Sequence, residues 1–269
     1  MAKGISVHVG VKSVDLERYK PWAPEDSDAP ENDARAMKEI AQAQGFAATL
    51  LIAPEATAAA VKKEVSAAAK SIQSGDLFLL TFAGHGSEVP DKNGDWGEEN
   101  DQTWCLHDRQ FLDDEVRALL TRFRQGARIL LVSDSCHSGT MHTLAPGGLR
   151  HRSIPTAVRR RVYRNHSLLY RGIQGKLPTK PRALRAQLRT LSACLDNEVA
   201  YENATATYGI FTEQLMKVWN QGGFQGTYGT FLQAIKQKMP TDPNNRQTPN
   251  ASRDGPKESD FGSQRPFTI

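Results

Sequence analysis

Short apolar runs alternate with longer helical patterns along this chain. The runs are rich in leucine or β-branched residues, as expected of strands that are covered on both faces. Alternation of such strands with helices predicts an α/β fold with a mostly parallel central sheet of about six strands and helices on both faces. The predicted strands are Ile5–Val11, Phe46–Ile52, Asp76–Phe82, Arg128–Ser133, Leu188–Ala193 and Arg265–Ile269.

Five stretches carry a helical pattern. The stretch Pro54–Gln73 has proline in its first turn and ends near Gly75, as helices often do. The stretch Asp113–Arg124 opens with three acidic residues, which favour a helix N-terminus. The predicted helices are Asn32–Gln44, Pro54–Gln73, Asp113–Arg124, Gly209–Asn220 and Tyr228–Met239.

Three stretches interrupt this alternation. Gly86–Leu112 and Ala145–Pro181 lack either pattern, and long irregular loops in α/β domains are usually functional or disordered. Pro240–Ser263 is rich in Pro, Asn, Asp and Ser, which predicts a surface excursion before the last strand.

Charge is distributed unevenly along the 269 residues, although the net charge is only +4. Gly86–Glu115 has ten acidic and two basic residues, whereas Leu149–Thr190 has ten arginines, two lysines and no acidic residue. A basic run can mark a nucleic-acid surface. Here it lacks interleaved aromatic residues or a nucleic-acid-binding motif, so a long exposed loop is the favoured interpretation and nucleic acid is an unlikely partner.

Composition excludes several other classes. The 39% hydrophobic content is enough for a core, and no apolar run reaches the roughly 18 residues of a membrane span, so no membrane partner is expected. The N-terminus does not resemble a signal peptide. Three cysteines, Cys105, Cys136 and Cys194, cannot form a disulfide framework in a chain of this size, which favours a cytoplasmic protein.

Two predicted strands end in residues that can carry chemistry. The third runs into His85 between two glycines, and the fourth runs into Asp134-Ser-Cys136. If these strands are neighbours, the thiol and the imidazole meet at one sheet edge, as nucleophilic catalysis requires. Taken singly, a buried structural cysteine and a turn histidine are equally ordinary interpretations. The pair at consecutive strand ends predicts catalysis.

The segments Ala83-Gly-His-Gly-Ser87 and Asp134-Ser-Cys-His-Ser-Gly139 are similar to those of metacaspases and bacterial orthocaspases, the caspase-like cysteine peptidases of clan CD. The separation of 51 residues between His85 and Cys136 fits the caspase spacing of about 50. Weaker matches extend over most of the chain: Glu31-Asn-Asp33-Ala, Phe111-Leu-Asp-Asp-Glu115, Leu191-Ser-Ala-Cys-Leu-Asp196, Gly209-Ile-Phe-Thr212 and Gln247-Thr-Pro249.

The resemblance implies a single caspase-like peptidase domain over residues 1–269. It divides the chain into a large segment, 1–144, with the His/Cys dyad, a basic linker, 145–187, and a small C-terminal segment, 188–269. It further implies an endopeptidase that takes protein or peptide substrates with Arg, or also Lys, before the cut. The alternatives are a catalytically silent caspase-like scaffold and a nucleic-acid-binding module that uses the basic segment.

The resemblance assigns roles to five residues. Cys136 is the expected nucleophile and His85 its proton acceptor, and the backbone amides of Gly86 and Cys136 are the expected oxyanion donors. Asp33 and Asp134 match the carboxylates of the family's substrate pocket, and a carboxylate pair suits a guanidinium.

No cofactor is required for this chemistry, but many metacaspases bind calcium. Asp101, Asp113 and Asp114 match acidic positions used for this purpose and offer the hard oxygen ligands that calcium prefers. The alternative is that Asp113 and Asp114 only cap the following helix.

The basic linker has the composition of a processing loop in a zymogen. A flexible, arginine-rich segment can be cut by an arginine-specific peptidase, either this enzyme or an upstream activating protease. The scissile positions predicted on this basis are Arg159, Arg160, Arg161 and Arg164.

Overall fold

The computed structural model describes residues 2–94, 99–136, 149–180, 182–242, 246–257 and 260–269. Within these ranges the strands are β1 (Gly4–Val11), β2 (Ala47–Ile52), β3 (Leu77–Gly84), β4 (Gly86–Pro90), β5 (Asn100–Cys105), β6 (Gln110–Leu112), β7 (Arg128–Asp134), β8 (Leu149–His151), β9 (Gln187–Ser192), β10 (Tyr201–Asn203) and β11 (Asn250–Asp254). The α-helices are α1 (Leu16–Tyr19), α2 (Ala29–Ala43), α3 (Ala58–Ser71), α4 (Asp113–Leu120), α5 (Thr156–Asn165), α6 (Ser167–Gln174), α7 (Ile210–Trp219) and α8 (Tyr228–Lys238).

The central sheet has six strands in the order β11-β9-β7-β3-β1-β2. Its first five strands along the chain are parallel, and β11 pairs antiparallel with β9. The smaller groups are a three-stranded antiparallel sheet, β4-β5-β6, and the antiparallel pair β10-β8. The predicted α/β class and the mostly parallel six-stranded sheet are therefore confirmed.

The sheet is buried on both faces because apolar residues alternate between them. Phe78, Leu80 and Phe82 of β3 belong to one core cluster with α3 and α4, whereas Leu77 and Leu79 belong to another with α2, α7 and α8. Successive side chains of a strand point to opposite faces, so one uninterrupted apolar strand supplies both layers.

The sixth strand is not where the sequence pattern predicted it. The described residues of Arg265–Ile269 form no strand, and Phe267 instead packs against the rings of Trp219 and Phe231. The edge strand is β11, inside the predicted surface excursion. Its residues are polar and mostly exposed, so they carry no hydrophobic signal.

The two charged stretches predicted to be irregular contain regular structure. Strands β4, β5 and β6 occupy much of Gly86–Leu112. The described part of the basic segment forms β8, α5 and α6, so the prediction of a flexible loop is wrong for these residues. Buried Val162, Tyr163 and Tyr170 anchor these two helices, but arginines on the exposed face mask the helical period.

In the part of the chain that the structure describes, no helix has the length and apolar character needed to cross a membrane.

Candidate active site

His85 and Cys136 lie at the carboxyl ends of neighbouring strands. Ala83 of β3 pairs with Asp134 of β7. His85 lies two residues after Ala83, and Cys136 lies two residues after Asp134. The Gly86 amide donates to the carbonyl oxygen of Arg152 at 2.9 Å, and the Cys136 amide donates to the same oxygen at 3.3 Å. The structure therefore brings the two segments together around a single carbonyl group.

The backbone around Arg152 is bound like an extended peptide. On its N-terminal side β8 pairs with β10, and the Arg152 amide donates to the Ala200 carbonyl oxygen at 3.0 Å. On its C-terminal side the Ile154 amide donates to the Gly86 oxygen at 3.0 Å. Addition of a strand to an exposed edge is a general mode of peptide recognition, and here the chain itself supplies the peptide.

The Arg152 side chain fills a carboxylate-lined pocket and has no exposed surface. Nη2 lies 2.7 Å from Asp33 Oδ2 and 3.0 Å from Glu202 Oε2. Nη1 lies 3.1 Å from Asp134 Oδ1, and Nε donates to Glu202 Oε2 at 3.1 Å. Asp33 and Asp134, both predicted from sequence, thus meet on one guanidinium, the fork-shaped donor that suits carboxylates.

Glu202 and Arg152 were not predicted. Glu202 is an isolated acidic residue on the short strand β10, and its one sequence signal is its position after the apolar run Val199–Tyr201. Arg152 is one of ten arginines in the basic segment, and nothing in the local sequence separates it from the others. Both roles depend on contacts between distant parts of the chain.

Two pocket carboxylates are held by the start of α7. Asp33, on α2, accepts from the Gly209 amide at 3.1 and 3.3 Å. Asp134, at the end of β7, accepts from the Thr212 amide at 3.1 Å and from its hydroxyl at 2.7 Å. Because the N-terminus of a helix carries partial positive charge, it stabilises carboxylates there.

Gly209 also forms a wall of the pocket. A Cβ atom at this position would lie 2.6 Å from Arg152 Cζ and 2.6 Å from Nη2. Its φ of −61° and ψ of 151° are accessible to any residue. The absence of a side chain, rather than a special backbone conformation, makes room for the guanidinium plane.

The pocket holds more acidic than basic groups. Burial raises the pKa of Asp33 to about 7, and the neighbouring Asp134 adds to this shift while Arg152 opposes it. Burial also raises the pKa of Glu202, but Arg152 and a hydrogen bond from Ser27 outweigh it and leave the pKa below its usual value. Three carboxylates around one guanidinium create a site that favours a cation.

Burial keeps both reactive groups uncharged in this arrangement. It raises the pKa of the Cys136 thiol to about 12, and the thiol donates to the Ala200 oxygen at a sulfur–oxygen distance of 3.7 Å. Burial lowers the pKa of His85 to about 4, and its ring meets that of Trp22 edge-on at 5.0 Å. His85 Nδ1 has no hydrogen-bond partner among the described residues.

The three aspartates expected to bind calcium are near one another but are committed to other partners. Asp101 accepts from the Gln174 amide at 2.7 Å, and Asp114 accepts from the Asn93 amide at 2.9 Å. Asp113 accepts from the backbone amides of Gln102 and Asp114, and burial, with Asp101 and Asp114 adding to it, raises its pKa to about 8. Within the described ranges no three His, Cys, Asp or Glu side chains form a metal-binding group. Calcium binding stays a prediction.

The four arginines predicted as cleavage positions lie on α5. Arg159 pairs with Glu88 at 2.5 Å, whereas Arg160, Arg161 and Arg164 are exposed. A helical backbone does not offer the extended conformation in which Arg152 lies against the site.

Comparison with known proteins places this geometry in a family. The family model described as the caspase domain matches residues 16–259. Metacaspase-7 of Arabidopsis thaliana is 34% identical over 84 residues, which cover 29% of this chain and 20% of that protein. Metacaspase-1B of Aspergillus terreus is 37% identical over 76 residues, which cover 26% of this chain and 20% of that one. The chain thus spans about a fifth of the length of these curated relatives.

Solved structures show the same fold. Protein GSU0716 of Geobacter sulfurreducens is 40% identical, covers 99% of both chains and superposes with a TM-score of 0.88. Caspase-1 of Spodoptera frugiperda is 13% identical, with coverage of 93% of this chain and 86% of that one and a TM-score of 0.57. The predicted caspase-like fold is confirmed.

Proposed function

The chain belongs to the caspase-domain family of cysteine peptidases, and we propose that it is an endopeptidase that cleaves after arginine through the Cys136–His85 dyad. The observation that carries this proposal is the position of Arg152. Its side chain occupies the carboxylate pocket while its carbonyl oxygen accepts from the two amides beside the reactive residues.

The reaction follows from these positions. His85 takes the thiol proton, and the Cys136 sulfur bonds to the carbonyl carbon of the residue in the pocket. The oxyanion that forms accepts from the Gly86 and Cys136 amides, which point at that oxygen already in the resting arrangement. The carbon–nitrogen bond then breaks, the leaving amine takes the proton from His85, and water hydrolyses the thioester.

Arginine fits the pocket better than lysine for a geometric reason. All three guanidinium nitrogens are used: Nη1 contacts Asp134, Nη2 contacts Asp33 and Glu202, and Nε contacts Glu202, each within 3.1 Å. A lysine ammonium presents one nitrogen and cannot reach all three carboxylates at once. Lysine substrates are therefore accepted more weakly, and aspartate substrates are repelled by the pocket charge.

The first bond cleaved is Arg152–Ser153 of the chain itself. The Gly86/Ser153 bridge and the Ile154–Gly86 hydrogen bond hold the residues that follow Arg152 against β4. Until cleavage this segment blocks the pocket, so its removal is the activating step. This position replaces the α5 arginines as the expected processing site.

Activity is tested with peptides that differ only in having Arg, Lys or Asp before the cut. Wild-type protein should cleave the Arg peptide fastest, the Lys peptide more slowly and the Asp peptide not measurably. Cys136→Ala should abolish turnover of all three. Equal cleavage by wild type and Cys136→Ala, or a preference for Asp, would overturn the proposal.

Self-cleavage is tested by intact-mass spectrometry of the purified chain over time. Wild type should give fragments 1–152 and 153–269, and Cys136→Ala should stay intact. The matched controls are Arg152→Ala, which should lose this cut, and Arg160→Ala on the exposed face of α5, which should retain it. A wild-type chain that stays intact yet shows full activity would exclude processing as the activating step.

Neither alternative gains support from the structure. A silent scaffold does not require the two amides to converge on one carbonyl oxygen beside a thiol. Nucleic acid binds to cations that are free to meet phosphates. Arg150, Arg152 and Arg159 of the basic segment instead form ion pairs with acidic residues of the same chain, whereas Arg160, Arg161 and Arg164 are exposed.

A further inference from the structure

We propose that residues 20–28, the loop between α1 and α2, form a second acidic subsite that selects a cationic side chain at the third residue before the cut. Preferred substrates would then carry Arg-x-Arg at their cleavage site. The inference rests on the proposed function, because it treats the bound segment of this chain as a substrate surrogate.

Arg150 shows how the subsite binds. Its Nε lies 2.8 Å from Glu25 Oε2, and its Nη1 donates to the Asp26 backbone oxygen at 2.5 Å. The Arg150 side chain is 25% exposed and that of Glu25 is 56% exposed, so the subsite lies at the rim of the cleft. One charge-assisted contact and one carbonyl acceptor together define a small cation site.

The strand pairing fixes which substrate residue reaches this site. Arg150 pairs with Glu202 in the β8/β10 register, and Arg152 follows it by two positions. Because alternate residues of an extended chain share a side, Arg150 and Arg152 point the same way. His151, between them, packs its ring against that of Tyr201, with the ring centroids 5.1 Å apart.

The loop is part of the active-site wall, which places Glu25 at a fixed distance from the pocket. Trp22 packs against the His85 ring, and Ser27 hydrogen-bonds Glu202. Asp28 at the end of the loop pairs with Lys12 at 2.6 Å. The loop thus presents Glu25 to Arg150, while Trp22 and Ser27 contact the site and Asp28 pairs with the residue that follows β1.

The test measures kcat/KM for peptides with arginine before the cut and Arg, Lys, Ala or Glu at the third position. The enzyme is the full chain carrying Arg150→Ala and Arg152→Ala, which removes the two side chains that anchor the blocking segment and so weakens its hold on the site. Arg should exceed Ala by about fivefold, the upper range for a partly exposed ion pair, and Glu should fall below Ala.

Two loop variants in the same background provide the matched comparison. Glu25→Gln should reduce the Arg-over-Ala ratio of kcat/KM to near one. Asp26→Asn removes the same charge from the next residue but keeps the backbone oxygen, so it should preserve the ratio. Equal loss in both variants would show only a general charge effect and would overturn the subsite.

The outcomes also separate the two proposals. If no arginine peptide is cleaved by the wild-type chain or by the unblocked variant, the proposed peptidase function fails. If arginine peptides are cleaved at the same rate whatever their third residue, the function stands and the second subsite fails. Self-cleavage provides an independent reading, since Arg150→Ala alone should slow the appearance of fragment 1–152.

Discussion

Replacement of Gly209 by alanine tests the arginine pocket most directly. The added methyl group would lie 2.6 Å from Arg152 Cζ, whereas carbon atoms in contact are normally about 3.5–4.0 Å apart. The guanidinium would therefore have to move by about 1 Å. A misplacement of this size costs about a hundredfold in rate when it shifts the reacting carbonyl.

The backbone at this position does not confound the experiment. Gly209 has ordinary extended angles, and its amide can still donate to Asp33 after substitution. A lysine side chain has no guanidinium plane at the point of contact, so lysine peptides should lose less. We therefore expect Gly209→Ala to lower kcat/KM for arginine peptides by about a hundredfold and to raise the lysine-to-arginine ratio.

The assay compares arginine and lysine peptides with Gly209→Ala, Gly172→Ala and their parent, all carrying Arg150→Ala and Arg152→Ala so that activity does not depend on self-cleavage. Gly172 lies on α6, and a Cβ atom there would meet nothing within 4 Å, so Gly172→Ala should behave like the parent. Residual lysine cleavage and an unchanged circular dichroism spectrum show that Gly209→Ala is folded. Arginine cleavage at the parent's rate in Gly209→Ala would refute the pocket geometry.

Three further predictions follow from the described contacts. Glu202→Gln should lower kcat/KM for arginine peptides by about tenfold, because it weakens a charged hydrogen bond to the arginine Nε. Lysine peptides should lose less. An equal loss of kcat/KM on both peptides would contradict this prediction. Arg152→Ala should increase the rate at which iodoacetamide labels Cys136 by about tenfold or more. The segment that covers the thiol loses its ion pairs in the pocket, and burial by that segment raises the pKa of the thiol to about 12. Peptide mapping after labelling checks this, and equal labelling of intact wild type would count against it. Burial lowers the pKa of His8 to about 3, so the unfolded chain takes up a proton below about pH 6.5 while the folded chain does not, and stability is lost as the pH falls. The free-energy difference between wild type and His8→Gln in urea unfolding should therefore shift against wild type by about 2 kcal/mol from pH 7 to pH 5, and a difference independent of pH would contradict the assignment.

The sequence was sufficient for the parts of the fold in which burial determines residue type. Strands β1, β3 and β7 are buried on both faces, so their apolar runs were recognisable, and the edge strand β2 was recognisable from its own apolar run although it is mostly half-buried. Strand β11 lies at an edge with most of its residues exposed, and pairing with β9 rather than burial makes it a strand. Propensity and periodicity carry no information about such a partner.

The candidate site also contains residues that were predicted from the sequence and residues that were not. His85 and Cys136 were predictable because each follows an apolar strand, and the family resemblance added Asp33 and Asp134. Glu202 follows a short apolar run and Gly209 lies in a segment that matches the family, but neither signal assigns a pocket role. Their roles arise only when α7 and β10 meet the Arg152 side chain. That Arg152 occupies the pocket could not be predicted either. The segment holds twelve basic residues, and only the three-dimensional path of the backbone distinguishes Arg152 from the others.

The covalent attachment of Arg152 to its own enzyme also determines how the protein responds to concentration. A tethered ligand meets its site at an effective concentration in the millimolar range, however dilute the solution. Scission between Arg152 and Ser153 would then be unimolecular, with a half-time that dilution does not alter. Foreign peptides, in contrast, must compete with that internal ligand. An uncut molecule would therefore not bind substrates present at low concentration, whereas a cut molecule would.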